Sequence, residues 1–334
     1  PKSMLIITAG GTGGHLFPAI ALAQAYQNAF PSAKVLLVGT QTPIDKEIFE
    51  QSSFNFQLLS FNRPGGGIKG KGKLIFQLIR AVFQSLKIIR KNKPQLVAAC
   101  GGFGSIPLAI ASRLTGTPLV LLEQNVIPGR TNRFLASKAA FIFTEFKESF
   151  SYFKGSAKLN HIGNPIRKSI LDIDKNVKTT SIIFMGGSQG SKKINDIAFE
   201  IIPNILKVDK EIRIFHLTGK NEFEKYKQNE KYPQVKVLSF VNNMEDIYTG
   251  AKLIIARSGA TSIAEISAIG IPTIFIPYPY AKDDHQKANA KALVEIGAGI
   301  MIEETILTAE LLKTEIIDLI NNPEKLAHIS KSFL

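Results

Sequence analysis

The segment Ala9-Gly10-Gly11-Thr12-Gly13-Gly14-His15 follows a short apolar run, Met4–Thr8, and leads into a stretch that reads as a helix beginning after Pro18. Glycines at a strand end let backbone N–H groups approach a ligand closely, and a helix amino terminus beyond them adds partial positive charge. That combination suits an anion or a sugar. His15 closes the loop with an imidazole whose ordinary pKa of about 6.5 suits proton transfer at neutral pH; orienting a bound group or capping the helix is equally open to it. The device recurs at Gly101-Gly102-Phe103-Gly104-Ser105, at Gly186-Gly187-Ser188-Gln189-Gly190-Ser191 and at Arg257-Ser258-Gly259-Ala260-Thr261-Ser262. One such loop is a tight turn; four at strand ends point to binding. The spacing is not G-x-G-x-x-G, the second strand ends at Gly39-Thr40 without the acid a ribose would require, and no stretch fits G-x-x-x-x-G-K-[ST]. Neither a nicotinamide fingerprint nor a Walker-type nucleotidase is indicated.

Further polar residues stand near these loops. Glu265 lies about two helical turns into the element that starts near Gly259, where a carboxylate can accept two hydrogen bonds from a vicinal diol. Taken alone it reads as a solvated helix face. Gln286 and Asn289 are three apart, share one helix face and can bond sugar hydroxyls together. Asp283 and Asp284 read as structural acids. No Cys/His cluster or EF-hand spacing occurs, so the expectation is no metal and no cofactor.

Elements must hold these groups. Apolar runs at Met4–Thr8, Val35–Val38, Leu96–Ala99, Leu119–Leu122 and Phe141–Thr144 alternate with amphipathic stretches, and the plan repeats at Ser181–Met185, Ile212–Leu217, Val235–Phe240, Leu253–Ala256 and Thr273–Ile276. Continuous rather than alternating apolarity predicts parallel strands covered on both faces. The 334 residues exceed what one core usually holds. The expectation is two doubly wound α/β domains, 1–163 and 164–334, with a linker near Asn164 between Gly155 and Lys178, and ligand loops at the carboxyl ends of the strands lining a cleft.

Charge is uneven. The chain carries 41 Lys+Arg against 27 Asp+Glu, and residues 1–164 hold 19 of the bases but only 6 of the acids. Between Glu50 and Glu123 there is no acid, while Lys73, Arg80, Lys87 and Arg90 interleave with apolar residues from Leu74 to Ile89. Ile75, Leu78, Ile79, Val82, Leu86 and Ile89 are expected to pack on the sheet. Phe76 and Phe83 fall beside that face, flanked by Lys73, Arg80, Lys87 and Arg90, and an aliphatic and aromatic basic strip suits an anionic membrane surface better than nucleic acid. No apolar run reaches the ~20 residues of a membrane span. Pro1-Lys2-Ser3-Met4 leads directly into a strand and Cys100 is the only cysteine, which favours the cytoplasm.

In order along the chain, Gly10-Gly11-Thr12-Gly13-Gly14-His15, Gly101-Gly102, Glu123-Gln124-Asn125 with Asn132, Gly163-Asn164-Pro165-Ile166-Arg167, Gly186-Gly187-Ser188-Gln189-Gly190, Arg257-Ser258-Gly259-Ala260 with Glu265, and Asp284-His285-Gln286 with Asn289 form one set. The set resembles glycosyltransferase family 28, specifically the bacterial enzymes that add N-acetylglucosamine from a UDP donor to the lipid-linked muramoyl-pentapeptide precursor of peptidoglycan. The resemblance spans nearly the whole chain. It implies a GT-B fold, two Rossmann-like domains facing a central cleft, with the acceptor and the membrane handled by the first and UDP-GlcNAc by the second, and a last helix that returns toward the first domain. It implies an inverting hexosyltransferase of cell-wall biogenesis, cell shape and division, acting on UDP-GlcNAc and undecaprenyl-diphosphate-linked MurNAc-pentapeptide at the cytoplasmic face of the membrane, with cell-wall synthesis proteins as partners.

By the same resemblance Ser188 meets the donor diphosphate, Val241 the uracil and Glu265 the ribose hydroxyls. Arg167, Arg257, Ala260, Thr261, Gln286 and Asn289 hold the nucleotide and sugar, and Asn125 with Thr12, Gly13 and Gly14 make contacts from the opposite wall. His15 is the candidate base. The chain departs from the family's pattern in three places: Phe103 where Tyr is common, a short stretch after Asn321-Asn322-Pro323, and a glycine-rich segment from Pro64 to Gly72 that looks flexible. Competing readings are another GT-B lipid glycosyltransferase, a UDP-GlcNAc epimerase, and a basic nucleic-acid-binding or membrane-adaptor protein without enzymatic activity.

Overall fold

The computed structural model describes residues 3–62, 68–153, 158–187, 189–241 and 243–333, with 68–71 described by backbone alone. It divides into two units, Pro1–Arg167 and Lys168–Leu334, parting a few residues beyond Asn164. In the first unit the elements are β1 (Met4–Thr8), α1 (Gly13–Ala29), β2 (Lys34–Thr40), α2 (Pro43–Glu50), β3 (Asn55–Leu59), α3 (Ile68–Asn92), β4 (Leu96–Ala99), α4 (Ile106–Thr115), β5 (Leu119–Glu123), α5 (Arg130–Leu135), β6 (Phe141–Thr144) and β7 (Lys158–His161). The second unit continues with α6 (Lys168–Leu171), β8 (Ser181–Met185), α7 (Lys192–Val208), β9 (Arg213–Leu217), α8 (Phe223–Tyr226), β10 (Val235–Leu238) and α9 (Met244–Tyr248). It closes with β11 (Ala251–Ala256), α10 (Ala260–Ile269), β12 (Thr273–Phe275), α11 (His285–Glu295), β13 (Ile300–Met301), α12 (Ala309–Asn321) and α13 (Pro323–Ser332).

Among the described residues the first sheet runs β3-β2-β1-β4-β5-β6-β7 and the second β10-β9-β8-β11-β12-β13, every pair parallel. The unbroken apolarity of the inner strands has its cause here. Along β1 and β2, Ile6, Leu36 and Val38 enter one core with Ala81 and Ile88 of α3 and Leu108 of α4, while Leu5, Ile7, Val35 and Leu37 enter another with Leu16 and Ala19 of α1 and Phe49 of α2. The second unit repeats the arrangement: Ile182 and Phe184 of β8 pack with Ile201 and Ile205 of α7 and Ile316 of α12, whereas Ile183 and Met185 pack with Ile266 of α10 and Ile247 of α9. Parallel sheets need both faces dry, and each strand supplies side chains to both.

The sequence reading missed three strands, β3, β7 and β13, all at sheet edges. Their side chains alternate or stay half-exposed, as in Asn55–Leu59 and Lys158–His161, so no continuous apolar run marks them. Helix α1 starts at Gly13 rather than after Pro18, which sits inside it. His15 therefore belongs to a first helical turn, where orphan N–H groups make the preceding loop a donor surface. Helix α13 packs on its own unit: Leu326 and Ile329 enter the core and Ser330 Oγ donates to the Gly270 carbonyl at 2.6 Å.

Helix α3 also corrects an expectation. Ile75 and Ile79, expected against the sheet, are 60% and 51% exposed, beside Phe76 at 69% and Phe83 at 62%. Leu78, Leu86 and Ile89 of the expected face do pack on the core, and the buried side is completed by Ala81, Ser85 and Ile88 with Leu74 partly buried. A stripe of 3.6-residue period through Leu74, Leu78, Ala81, Ser85 and Ile88 fills the contact, which leaves the second apolar stripe for solvent.

Candidate active site

In the first unit the loop after β1 is held from below by one acid. Asp45, wholly buried in the first turn of α2, accepts from Gly11 N at 2.9 Å, Thr40 N at 2.8 Å and Thr40 Oγ1 at 2.7 Å. Gly10 must lack a side chain, because a Cβ there would come within 2.8 Å of Asp45 Oδ2 and 3.3 Å of Gly104 Cα. Thr12 takes the extended N-cap conformation of α1, and Gly13 and Gly14 begin the helix. The loop after β4 interlocks with this one: Gly101 and Gly102 have φ of +91° and +80°, and a Cβ at Gly102 would collide with the Gly10 carbonyl. The two loops thus stack because neither carries a side chain at the positions where they touch, Gly10, Gly102 and Gly104.

His15 lies against that second loop. Its Nδ1 is 3.1 Å from the Cys100 carbonyl oxygen and 3.3 Å from Gln124 Oε1. Burial pushes the Cys100 thiol up to about 12, so it is a neutral wall rather than a nucleophile. Glu123, at the end of β5 and buried, organises the next loop by accepting from Asn125 N at 3.0 Å, Gly129 N at 3.0 Å and Asn132 Nδ2 at 2.8 Å. Burial raises its carboxyl while these donors pull it back. Asn125 is so oriented, its Nδ2 also 3.4 Å from Glu123 Oε1. Phe103 stacks on Phe61 with ring centroids 4.4 Å apart, an apolar use of the position where the resembled family carries a hydroxyl. Arg167, at the end of this unit, lies over the Phe17 ring of α1 at 5.4 Å.

In the second unit β8 ends at Gly186-Gly187, and Ser191 caps α7 by accepting from Ile194 N. Ser188, expected at the diphosphate, lies outside the described residues. A Cβ at Gly190 would collide with the Thr218 carbonyl after β9, so this turn too depends on glycine. Arg257, at the end of β11, is committed to protein groups: Nη1 donates to the Ile276 and Pro277 carbonyls, each at 3.1 Å, and Nη2 to Ser191 Oγ at 2.7 Å. It also pairs with Glu304 and lies over the Tyr278 ring at 5.3 Å. Arg257 thereby fastens the glycine loop, the loop after β12 and the segment after β13 together.

Beyond Arg257, Ala260 and Thr261 open α10, and Glu265 is buried on it rather than lying on a solvated face. Ser258 Oγ donates to the Gln286 carbonyl at 2.8 Å and Asn289 Nδ2 to the Ser258 carbonyl at 3.3 Å, which ties α11 to the start of α10. Gln286 Oε1 accepts from Tyr278 N at 3.0 Å, an arrangement that turns its NH2 group to donate elsewhere. Val241 follows β10 and packs partly against the core. Asp283 and Asp284 take left-handed conformations at the entry to α11. The structure therefore brings Arg257, Gln286 and Asn289 into one hydrogen-bonded loop assembly at the start of α10, and His15 and Asn125 into another. Sequence reasoning passed over Asp45 and, while counting Gln124 in the motif Glu123-Gln124-Asn125, gave it no role. For Asp45 the signal was an acid three residues after Thr42, whose side chain caps α2. No group of three or more His, Cys, Asp or Glu among the described residues is arranged to hold a metal ion.

Comparison with known proteins follows the same division. The family model for the glycosyltransferase family 28 N-terminal domain matches residues 5–144, and that for its C-terminal domain matches residues 181–333. A protein of Geobacter sp. (strain M21), named UDP-N-acetylglucosamine--N-acetylmuramyl-(pentapeptide) pyrophosphoryl-undecaprenol N-acetylglucosamine transferase, is 38% identical over 98% of this chain and 90% of its own length. A Myxococcus xanthus (strain DK1622) protein of the same name is 35% identical over 98% of this chain and 87% of its own. A crystal structure of MurG from Acinetobacter baumannii matches with a TM-score of 0.78 at 28% identity, covering 100% of this chain and 94% of that one. The UDP complex of S. aureus MnaA, at 14% identity and a TM-score of 0.69 over 99% of this chain and 91% of that one, shares the fold alone.

Proposed function

Since the chain belongs to glycosyltransferase family 28, we propose the following for its reaction. It transfers N-acetylglucosamine from UDP-GlcNAc, with inversion, to the C4 hydroxyl of the muramoyl sugar of undecaprenyl-diphosphate-linked MurNAc-pentapeptide, converting lipid I to lipid II in peptidoglycan synthesis. The observation that carries this reading is the identity of 38% with a relative of that name over 98% of the chain.

The acceptor hydroxyl loses its proton to His15 as its oxygen attacks C1 of the donor sugar, and the bond from C1 to the diphosphate breaks to release UDP. Proton and electron pair are then accounted for: imidazolium on the enzyme, negative charge on the departing diphosphate. The helix amino termini after Gly187 and Gly259, with Arg167, balance that charge. Ser188 serves the diphosphate, Val241 the uracil and Glu265 the ribose hydroxyls. Ala260, Thr261, Gln286 and Asn289 hold the sugar and nucleotide, while Thr12, Gly13, Gly14 and Asn125 act beside His15. Arg257 belongs to the same binding set, held in place by the loops it fastens. Burial of Glu265 supports its role, since a buried carboxylate facing a diol has partners worth the cost of desolvation.

The enzyme works on a lipid-linked acceptor as a peripheral protein of the cytoplasmic membrane face, through α3. The support is the exposed stripe of Ile75, Phe76, Ile79 and Phe83 with Lys73, Arg80 and Lys87 alongside it, together with the lack of any membrane-crossing helix among the described residues. Proteins of cell-wall synthesis are its partners, and nucleic acid is not.

The direct test mixes the protein with UDP-GlcNAc and lipid-linked muramoyl-pentapeptide in detergent micelles and follows UDP release and disaccharide-lipid. Both are expected together. Hydrolysis of the donor without disaccharide, or no turnover where a known enzyme works, would defeat the assignment.

A further inference from the structure

His15 touches two acceptors through one nitrogen, and a neighbouring amide decides what that means. Gln124 is buried at the end of β5, where its Nε2 donates to the Cys100 carbonyl at 2.9 Å and approaches the Leu122 carbonyl at 3.4 Å. A carbonyl cannot donate, so these two contacts require the NH2 end of the amide to face them. The opposite end, Oε1, then faces His15 Nδ1 at 3.3 Å, and the Cys100 carbonyl faces the same nitrogen at 3.1 Å. Both groups before Nδ1 can only accept. An unprotonated Nδ1 would set one lone pair against two others in a half-buried pocket, whereas Nδ1–H satisfies both.

We propose that Gln124 is a positioning residue that fixes the His15 proton on Nδ1 and thereby makes Nε2 the basic atom. The two glycines of the loop after β4 belong to the same device. A Cβ at Gly101 would lie 3.0 Å from Nδ1 and 3.1 Å from Cε1, and one at Gly102 would lie 3.1 Å from Cδ2, so their missing side chains let the ring reach the Cys100 carbonyl. The titratable groups nearby do not compete for the proton. Cys100 stays neutral because burial pushes its thiol up to about 12, Glu123 is engaged by Asn125, Gly129 and Asn132, and Asp45 by Gly11 and Thr40. The logic is that of an orienting partner behind a catalytic base, here a neutral amide fixed by backbone carbonyls instead of a carboxylate.

The inference rests on His15 acting as the base, and the measurement of its tautomer is independent of turnover. In full-length protein carrying 15N-labelled histidine, the five histidines give resolved ring-nitrogen signals, and His15→Gln assigns the one in question. At a pH of about 8 the expected state is Nδ1–H with unprotonated Nε2. An Nε2–H signal overturns the proposal.

Two variants probe the consequence. Gln124→Leu is expected to mix the tautomers and lower kcat by about 10- to 100-fold while the Kd for UDP-GlcNAc stays within about twofold. Gln124→Glu sets a carboxylate at Nδ1, favours imidazolium and moves the acidic limb of the kcat profile upward by about one pH unit or more. Wild-type turnover and pH profile in both variants would overturn the proposal; should the Leu variant not fold, the wild-type tautomer and the Glu profile decide it. Undiminished turnover in His15→Ala would sink the base reading and leave the tautomer result standing by itself.

Discussion

At the scale of single residues, the chain spends its chemistry sparingly. His15 is the imidazole placed among the loops of the first unit, and His15→Ala is expected to lower kcat by about 10²- to 10⁴-fold with little change in UDP-GlcNAc affinity by calorimetry. Equal loss of both would place the ring in binding instead. Glu145, after β6, supplies a second prediction. Burial raises its carboxyl to about 7, against one opposing hydrogen bond from the Asn164 backbone. A raised carboxyl pKa means the folded state holds the proton more tightly than the unfolded one, so the stabilisation is complete below about 4.5 and is lost as pH rises through about 7. Glu145→Gln removes that dependence and is expected to stabilise the protein at pH 8 by about 2 to 3 kcal/mol, with little effect at pH 4.5. Thermal melts at the two pH values check it; an equal shift at both would refute the assignment. Much at this scale was readable beforehand, since Gly10 to His15 and Arg257 to Ala260 announce themselves by local spacing. The actual partners of Arg257 were not, because they come from Ser191, Ile276, Pro277 and Glu304, far apart in sequence.

At the scale of elements, α3 carries the clearest consequence. Its composition is too apolar for a helix that packs along one stripe, and the packed stripe uses Leu74, Leu78, Ala81, Ser85 and Ile88. Ile75, Phe76, Ile79 and Phe83 remain exposed next to Lys73, Arg80 and Lys87. Each cation near an anionic leaflet contributes about 1 kcal/mol, and each apolar side chain adds burial in the interface. Vesicles containing anionic lipid should therefore sediment with the protein at low salt and release it at high salt. Phe76→Ser with Phe83→Ser should weaken binding at every salt concentration, whereas Lys73→Glu with Arg80→Glu should mainly remove the salt-sensitive part. Binding to neutral vesicles of undiminished strength would contradict the electrostatic share. The edge strands teach a related lesson: β3 and β7 lack continuous apolar runs because an edge needs cover on fewer sides, so pattern alone passed them over.

At the scale of the whole molecule, charge divides between the units, and the proposed placement of the donor on the second can be tested apart from it. Lys and Arg outnumber Asp and Glu by 20 to 6 in the first unit and balance at 21 to 21 in the second. UDP-GlcNAc alone should then slow hydrogen exchange around Gly186, Gly190, Ser258 and Asn289 and leave the strands of the first unit unchanged. Protection confined to the first unit would overturn the placement of the donor. Two parallel sheets, four glycine turns at strand ends and the basic half were all legible from the residues, because apolar runs, glycine spacing and charge are properties of short stretches. Folding alone decided which stripe of α3 meets solvent, that Asp45 holds the first glycine loop, that Arg257 clasps three loops together, and that Gln124 faces His15 across 109 positions of chain. Those outcomes depend on which surfaces pack together, and packing between distant residues leaves no local mark in a sequence.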